Sequence, residues 1–292
     1  MGRTRIGLMV IALLTSVIGI GAATPAASQV QAFPTPLDFV SNLDLECFKT
    51  DPFTPPPANL VLSHLNPVLA GFPRVPVTLG PRVQLCAPVF KNNAVPPASV
   101  LPFVRFVDLS CYQVNTTTTS QIPLVVSHLN PLLRDLPRRE ITLFGPTQLC
   151  LPVVKNDVFP PAEVLRLVQF IDLLCYRTSP QVPLNIPLRL TQLNPVLGNI
   201  PPADVRVVEN RQFCVPVQKN DQPIPPEVLR IVRWVDIEKF DIIAPPLPSV
   251  IGLRLRHINP LLTGFPVEPA RLLGAEQLGL PMAKNGVIPP TT

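Results

Sequence analysis

Apolar residues run along this chain in short bursts rather than in long helical stripes. "FVDLSCYQV" (106–114), "IPLVVSHL" (122–129) and "REITLF" (139–144) are separated by turn formers. The first two are rich in β-branched and aromatic residues, which suit a pleated, half-buried surface. The third leads into "GPTQLCLPVV" (145–154), after which Lys155-Asn156-Asp157 turns the chain. The pattern predicts strand, turn and strand again, an all-β fold. One stretch reads two ways. "PPAEVLRLVQFIDLL" (160–174) spaces Arg166, Gln169 and Asp172 three apart, and Pro-Pro with Glu163 would start a helix. Its counterpart "PPASVLPFVRFVDLS" (96–110) carries Pro102, which is disfavoured inside a helix. A helical turn at the start and a strand in the second half is the expectation.

The bursts recur. Asp44, Asp108, Asp172 and Asp236 open equivalent runs at intervals of 64 residues. "HLNP" at His64 and His128, "QLNP" at Gln192 and "HINP" at His257 follow at steps of 64, 64 and 65. Pro-Pro pairs close each copy at 96–97, 160–161, 225–226 and 289–290. Three landmarks in one order, four times, define four tandem small β-modules of about 64 residues: 29–97, 98–161, 162–226 and 227–292. After the repeated Lys-Asn come Asn93, Asp157, Asp221 and Gly286, types that tolerate the positive φ of a tight hairpin turn. Pro88, Pro152, Pro216 and Pro281 are expected on edge strands or bulges, where proline's missing donor is harmless. Small tandem units predict an elongated array, with the fourth copy at its end and a neighbour on one side only.

The cysteines are Cys47, Cys86, Cys111, Cys150, Cys175 and Cys214, separated by 39 residues within each of the first three copies. Six cysteines permit about 15 pairings. The fourth copy chooses among them, because Lys239 and Gly279 replace both of its cysteines together. Pairing between neighbouring copies would orphan Cys47 and Cys214. Pairing within copies orphans none, so Cys47–Cys86, Cys111–Cys150 and Cys175–Cys214 are expected as disulfides. A bridge closing a loop of this length adds about 4 kcal/mol in the chain-entropy model.

Composition changes the picture in two ways. Proline supplies 41 of 292 residues, against an ordinary share of about 5%, which excludes long helices. Hydrophobic residues make up 47% of the chain, so composition does not predict disorder. At the N-terminus, Arg3 and Arg5, the apolar stretch 6–21 and the small residues 22–28 stand in the order of an export signal. The alternative is a retained membrane anchor. Cleavage after residue 28 places the protein outside the cytoplasm, in the medium, periplasm or cell envelope, where disulfides persist. No later segment is long and apolar enough to span a bilayer. The formal charge of +5 is modest. The densest basic patch, "RDLPRRE" (134–140), is interrupted by Asp135 and Glu140, so no nucleic-acid partner is expected.

Candidate chemistry is sparse. His64, His128 and His257 share one repeat position, and copy three holds Gln192 there. A residue repeated with the module serves its build, so each imidazole is expected to bond the backbone of a nearby turn. The four aspartates are expected to fix a strand end or meet a local Lys or Arg. Two distant Cys and one His per copy do not make a metal site, and neither cofactor nor metal is expected. No nucleophile elbow, zinc helix or phosphate loop appears. "NTT" (115–117) matches a glycosylation acceptor. The aromatics Tyr112, Tyr176 and Trp234 lie in apolar runs and are expected to face the core.

The order "CY…LCxPVxKN", in tandem behind an export signal, resembles an uncharacterised bacterial secreted repeat domain, a domain of unknown function. The resemblance covers all four copies. In that family the middle strand typically ends in Asp-Gln-Phe-Gly, where this chain has "HLNP" or "QLNP". It implies no activity. The expectation is a non-enzymatic secreted or cell-envelope protein with a structural or interaction role, whose partner is an envelope protein or glycan. The alternatives are a carbohydrate- or ligand-binding array and, third, an enzyme with an unrecognised site.

Overall fold

Each copy builds a short helix and three strands in the same order. The first holds α1 (Pro36–Ser41), β1 (Asp44–Phe53), β2 (Asn59–His64) and β3 (Val75–Lys91). The second holds α2 (Leu101–Val104), β4 (Leu109–Asn115), β5 (Ile122–His128) and β6 (Arg139–Lys155). The third holds α3 (Ala162–Val168), β7 (Leu173–Ser179), β8 (Pro183–Gln192) and β9 (Ala203–Lys219). The fourth holds α4 (Pro226–Val232), β10 (Ile237–Ile243), β11 (Ile251–His257) and β12 (Glu268–Lys284). This computed structural model describes residues 1–2 and 32–292. The export-signal reading of 1–28 therefore falls, but for its first two residues, outside the described residues.

The runs read as separate strands at 139–144 and 145–154 are one strand of 17 residues, as in every copy. Along β3 the first half alternates between buried and exposed, whereas the second half is almost wholly buried. Its second half has cover on both faces, so period-2 alternation disappears there.

The first and long strands make a closed cycle of antiparallel pairs. Within copies, β1 pairs β3, β4 pairs β6, β7 pairs β9 and β10 pairs β12. Between copies, β3 pairs β4, β6 pairs β7 and β9 pairs β10. Finally β12 returns to β1, from Leu45↔Gly279 to Thr50↔Leu272. The result is an eight-stranded barrel, and residues 32–292 form one compact unit. The elongated array is thus wrong, and the fourth copy has neighbours on both sides. The reason is the edge: an open row of copies would leave β1 and β12 each with an unpaired edge, and closure removes both.

The middle strands interlock the ring further. Each pairs the long strand of its own copy and then the far end of the long strand of the opposite copy. Thus β2 reaches β9, β8 reaches β3, β5 reaches β12 and β11 reaches β6.

The repeated prolines correct a second expectation. Pro88, Pro152, Pro216 and Pro281 lie within the long strands rather than on edges. Pro88 falls between the last residue paired with β4 (Cys86) and the first paired with β8 (Val89). Its missing N–H coincides with that change of partner, and its carbonyl accepts from Leu193 N at 2.9 Å. The other three repeat this handover, accepting from Ile258, Leu65 and Leu129.

Residues 162–168 are helical, and the strand starts only at Leu173. Pro102 is tolerated because it sits in the first turn of α2, where no intrahelical donor is needed. The helices precede four strands that all run the same way, so they gather at one mouth of the barrel. Their apolar residues, such as Val164, Leu167 and Val168, share one cluster with Leu45, Leu109, Leu173, Ile237 and all six cysteines.

Candidate functional site

Three repeat landmarks that looked independent in sequence meet in space. The aspartate that opens each first strand contacts the lysine of its own Lys-Asn turn: Asp44 with Lys91, Asp108 with Lys155, Asp172 with Lys219 and Asp236 with Lys284. The asparagine of the following copy completes each pair. Asn130 Nδ2 donates to Asp44 at 2.9 Å, Asn194 to Asp108 at 2.6 Å and Asn259 to Asp172 at 3.0 Å. The fourth bond closes the ring, for Asn66 of the first copy donates to Asp236 of the last at 2.7 Å.

Both ends of each asparagine amide are used, and Asn130, Asn194 and Asn259 also donate to Ser41 O, Arg105 O and Gln169 O at 3.0–3.3 Å. The Oδ1 of each asparagine caps the turn that follows, accepting from Val68, Leu132, Val196 or Leu261 N at 2.9–3.1 Å. Burial pushes every Asp carboxyl of the set above its ordinary value and every Lys amine below, while the partner charge pulls each back. Fully buried pairs of this kind need their extra hydrogen bonds, and the asparagines supply them. The aspartates do meet a local lysine as expected, but their asparagine partners come from outside the copy.

The second residue of each Lys-Asn turn joins opposite copies. Asn92, Asn156, Asn220 and Asn285 take φ of 47° to 52°. Their Oδ1 atoms accept from Arg189, Arg254, Val61 and Val125 N at 2.8–2.9 Å. The residues that follow also take positive φ, as the sequence predicts.

Inside the barrel lie layers. Cys47–Cys86, Cys111–Cys150 and Cys175–Cys214 are disulfides between directly opposed strand residues, with Cα atoms 3.8–3.9 Å apart. Neighbouring bridges touch: Cys86 Sγ is 3.8 Å from Cys111 Sγ, and Cys150 Sγ 3.8 Å from Cys175 Sγ. The fourth rung is Lys239 opposite Gly279. Lys239 Nζ reaches across to the copy-two bridge, 3.7 Å from Cys111 Sγ and 3.6 Å from Cys150 Sγ. It donates to Gln84 Oε1 at 2.9 Å and Gln148 Oε1 at 3.1 Å. Burial brings its amine down to about 7, with Glu276 opposing the shift. Beneath the cysteines, Gln84, Gln148, Gln212 and Gln277 contribute one amide per copy.

The histidines correct a further expectation. They do not bond turn backbones, since the asparagines already do. His64 Nε2 bonds Tyr176 Oη at 2.8 Å, and His257 Nε2 bonds Tyr112 Oη at 2.9 Å. Tyr112 Oη donates to Glu268 at 2.7 Å, so His257 is the donor in its own bond. His128 stacks on Phe240 with centroids 5.8 Å apart. Each pair joins opposite copies. Burial lowers His64 to about 4 and His128 to about 3. Tyr112 and Tyr176 are buried, as expected, while Trp234 is partly buried against the same cluster as the cysteines.

The seam between first and last copies carries a buried ion pair that no repeat signal announced. Arg82 Nη1 donates to Glu268 at 3.0 Å and Nη2 to Pro269 O at 2.8 Å, with both side chains fully buried. Among the described residues, no three or more His, Cys, Asp or Glu are grouped to hold a metal, and no helix is long and apolar enough to cross a membrane. The surface has shallow grooves. The roomiest of those described, about 730 Å³, is lined by Thr116, Thr119, Gln121, Thr147 and Arg177. A more enclosed cavity of about 180 Å³ holds Glu46, whose carboxyl burial raises to about 7 against a 2.5 Å bond from Gln192. No family model, curated protein or solved structure matches the chain.

Proposed function

We propose that the protein is a non-enzymatic structural or interaction protein, secreted or held in the bacterial cell envelope. One observation carries the reading. The buried Asp, Lys and Asn that all four copies share are spent on one another, the Asp–Lys pairs within each copy and the Asn–Asp bonds holding neighbouring copies together. Chemistry needs groups left free to meet a substrate, and these Asp–Lys–Asn sets are committed to one another. Three disulfides support an oxidising destination. The sequence resemblance to a bacterial secreted repeat domain supports the same place.

The test is fractionation of producing cells with thiol labelling. The protein should appear in the envelope or medium with no free thiol and an N-terminus near residue 29. Cytosolic protein with six free thiols and residues 1–28 intact would overturn the location. Turnover that co-purifies with the chain and disappears in a single-residue variant would overturn the non-enzymatic half.

A second reading, glycan binding, is favoured by the hydroxyl- and amide-lined groove at Thr116, Gln121 and Thr147. It predicts glycan-array signals that Gln121→Ala abolishes. Signals unchanged by that variant would dismiss the groove.

A further inference from the structure

The fourth copy has exchanged a pair of cysteines for an amine facing an amide. Lys239 occupies the cysteine position of β10, in register with Gly279 of β12. It is 2% exposed, and its Nζ lies in hydrogen-bond contact with the carbonyl oxygen of Gln84 at 2.9 Å. The nitrogen of that same amide is held too. Gln84 Nε2 donates to Glu276 Oε1 at 2.5 Å and to Gln277 Oε1 at 2.9 Å. The amine therefore rests on the oxygen and a carboxylate on the nitrogen of one buried amide, so the nucleophile, the electrophilic group and a proton carrier for the leaving nitrogen meet at a single side chain.

We propose that Lys239 and Gln84 form an intramolecular isopeptide bond, with Glu276 carrying the proton. The neutral Nζ adds to Cδ of Gln84. The Nζ–Cδ bond forms as the Cδ–Nε2 bond breaks. The proton released by Nζ passes through the Glu276 carboxylate to Nε2, which leaves as ammonia. Nothing is oxidised or reduced, and no co-reactant is needed.

Three features of the site favour the step. Burial holds the amine down to about 7, so a neutral fraction exists at ordinary pH. Gln84 is 4% exposed, and the sulfurs of Cys111 and Cys150 stand 3.7 and 3.6 Å from Nζ, so water competes poorly for the carbonyl. Gln148 also accepts from Lys239, at 3.1 Å, but the carboxylate rests on the nitrogen of Gln84, which makes Gln84 the electrophile. The bond has a clear structural consequence. Each disulfide links two strands of one copy, and none crosses the seam of the ring. An isopeptide from β3 to β10 ties the first copy to the last.

Mass spectrometry decides the matter on the full mature chain, purified folded and then denatured and reduced. The expected mass is lower than the sequence mass by one ammonia, and digestion should yield a branched peptide joining the Gln84 and Lys239 segments. Lys239 should also resist amine labelling in the denatured chain. Glu276→Gln should give a protein with all three disulfides but full mass, or much slower ammonia loss in mildly alkaline buffer. Full mass with a labelled Lys239, after long incubation of the folded wild type in that buffer, would overturn the proposal. So would an ammonia loss mapped to a succinimide at Asn285-Gly286, or a branch at Gln148. Unchanged cross-linking in Glu276→Gln would overturn the role of the carboxylate.

Discussion

Asn66→Ala separates a closed ring from an open row of copies. In an open row, Asn66 of the first copy has no preceding copy to reach. In the ring its Nδ2 donates to Asp236 at 2.7 Å and its Oδ1 caps the next turn through Val68 N at 3.0 Å. Truncation removes a hydrogen bond to a charged group, worth about 1.5–3 kcal/mol, and a cap worth about 1 kcal/mol. Lys284 stays against Asp236, so the carboxylate is not left alone, and the expected loss is about 3 kcal/mol. At roughly 2–4 °C per kcal/mol for chains of a few hundred residues, the melting temperature should fall by about 6–12 °C. Thermal melts of the oxidised protein should give similar losses for Asn66→Ala, Asn130→Ala, Asn194→Ala and Asn259→Ala, agreeing within about 1 kcal/mol. A loss of only about 1 kcal/mol at Asn66, the worth of the cap alone, beside full losses at the other three, would refute closure through this bond.

Glu46→Gln should remove a pH dependence. Burial raises the Glu46 carboxyl from 4.5 to about 7, so the stability it lends is complete below about pH 4.5 and is lost as pH rises through about 7. The amide keeps a bond with Gln192, and urea titrations should find the variant more stable than wild type by up to about 3 kcal/mol above pH 7 and equal to it in acid; a constant difference at every pH would contradict this. Ile237→Leu/Lys239→Cys/Gly279→Cys should form a fourth disulfide, whereas Lys239→Cys/Gly279→Cys alone should oxidise poorly, because a Cβ at residue 279 meets Ile237 Cγ2 at 2.7 Å; equal oxidation of the two variants on thiol titration would dismiss the steric argument. Limited proteolysis of oxidised protein should nick exposed loops without releasing residues 227–292, since β12 pairs β1, β5, β10 and β11. A freely separating fourth copy would contradict the pairing.

Legibility in the sequence follows the range of the interaction. The disulfides could be read because both cysteines vanish together in the fourth copy. The Lys-Asn turns could be read because positive φ is a local demand with a short menu of residues. Closure could not be read, because it depends on whether β12 finds β1, and the residues that set β12 apart from its copies, such as Gly279, name no partner strand. The Asp–Lys–Asn sets were hidden for a related reason. Asp44 and Lys91 lie in different runs and Asn130 in the next copy, so each looked like the punctuation of its own segment. Their signal was available: a polar residue kept in all four copies inside apolar surroundings is a candidate for a buried partner. The prolines misled because a strand was assumed to keep one neighbour along its whole length, and these strands change neighbours at the proline.

The fourth rung then has a physical account that does not depend on loss by drift. Copies one to three place leucine two residues before the first cysteine, at Leu45, Leu109 and Leu173, while copy four places Ile237. The branched Cγ2 of Ile237 takes the space a side chain at residue 279 would need, so glycine there and isoleucine here are one change. Lysine is the third part of it. Its stem crosses from β10 to the bridge of the opposite copy, filling a volume that a second short cysteine would leave empty, and interiors resist such voids. A bridge restored at this rung would add chain-entropy stabilisation of about 4 kcal/mol but open a cavity along the vacated stem and strand the amide oxygens of Gln84 and Gln148 without their donor. The net gain should therefore fall well short of that figure. The substitution of two cysteines by lysine and glycine is best understood as a different way of joining the barrel's walls, directed across the barrel where a cystine joins only neighbours.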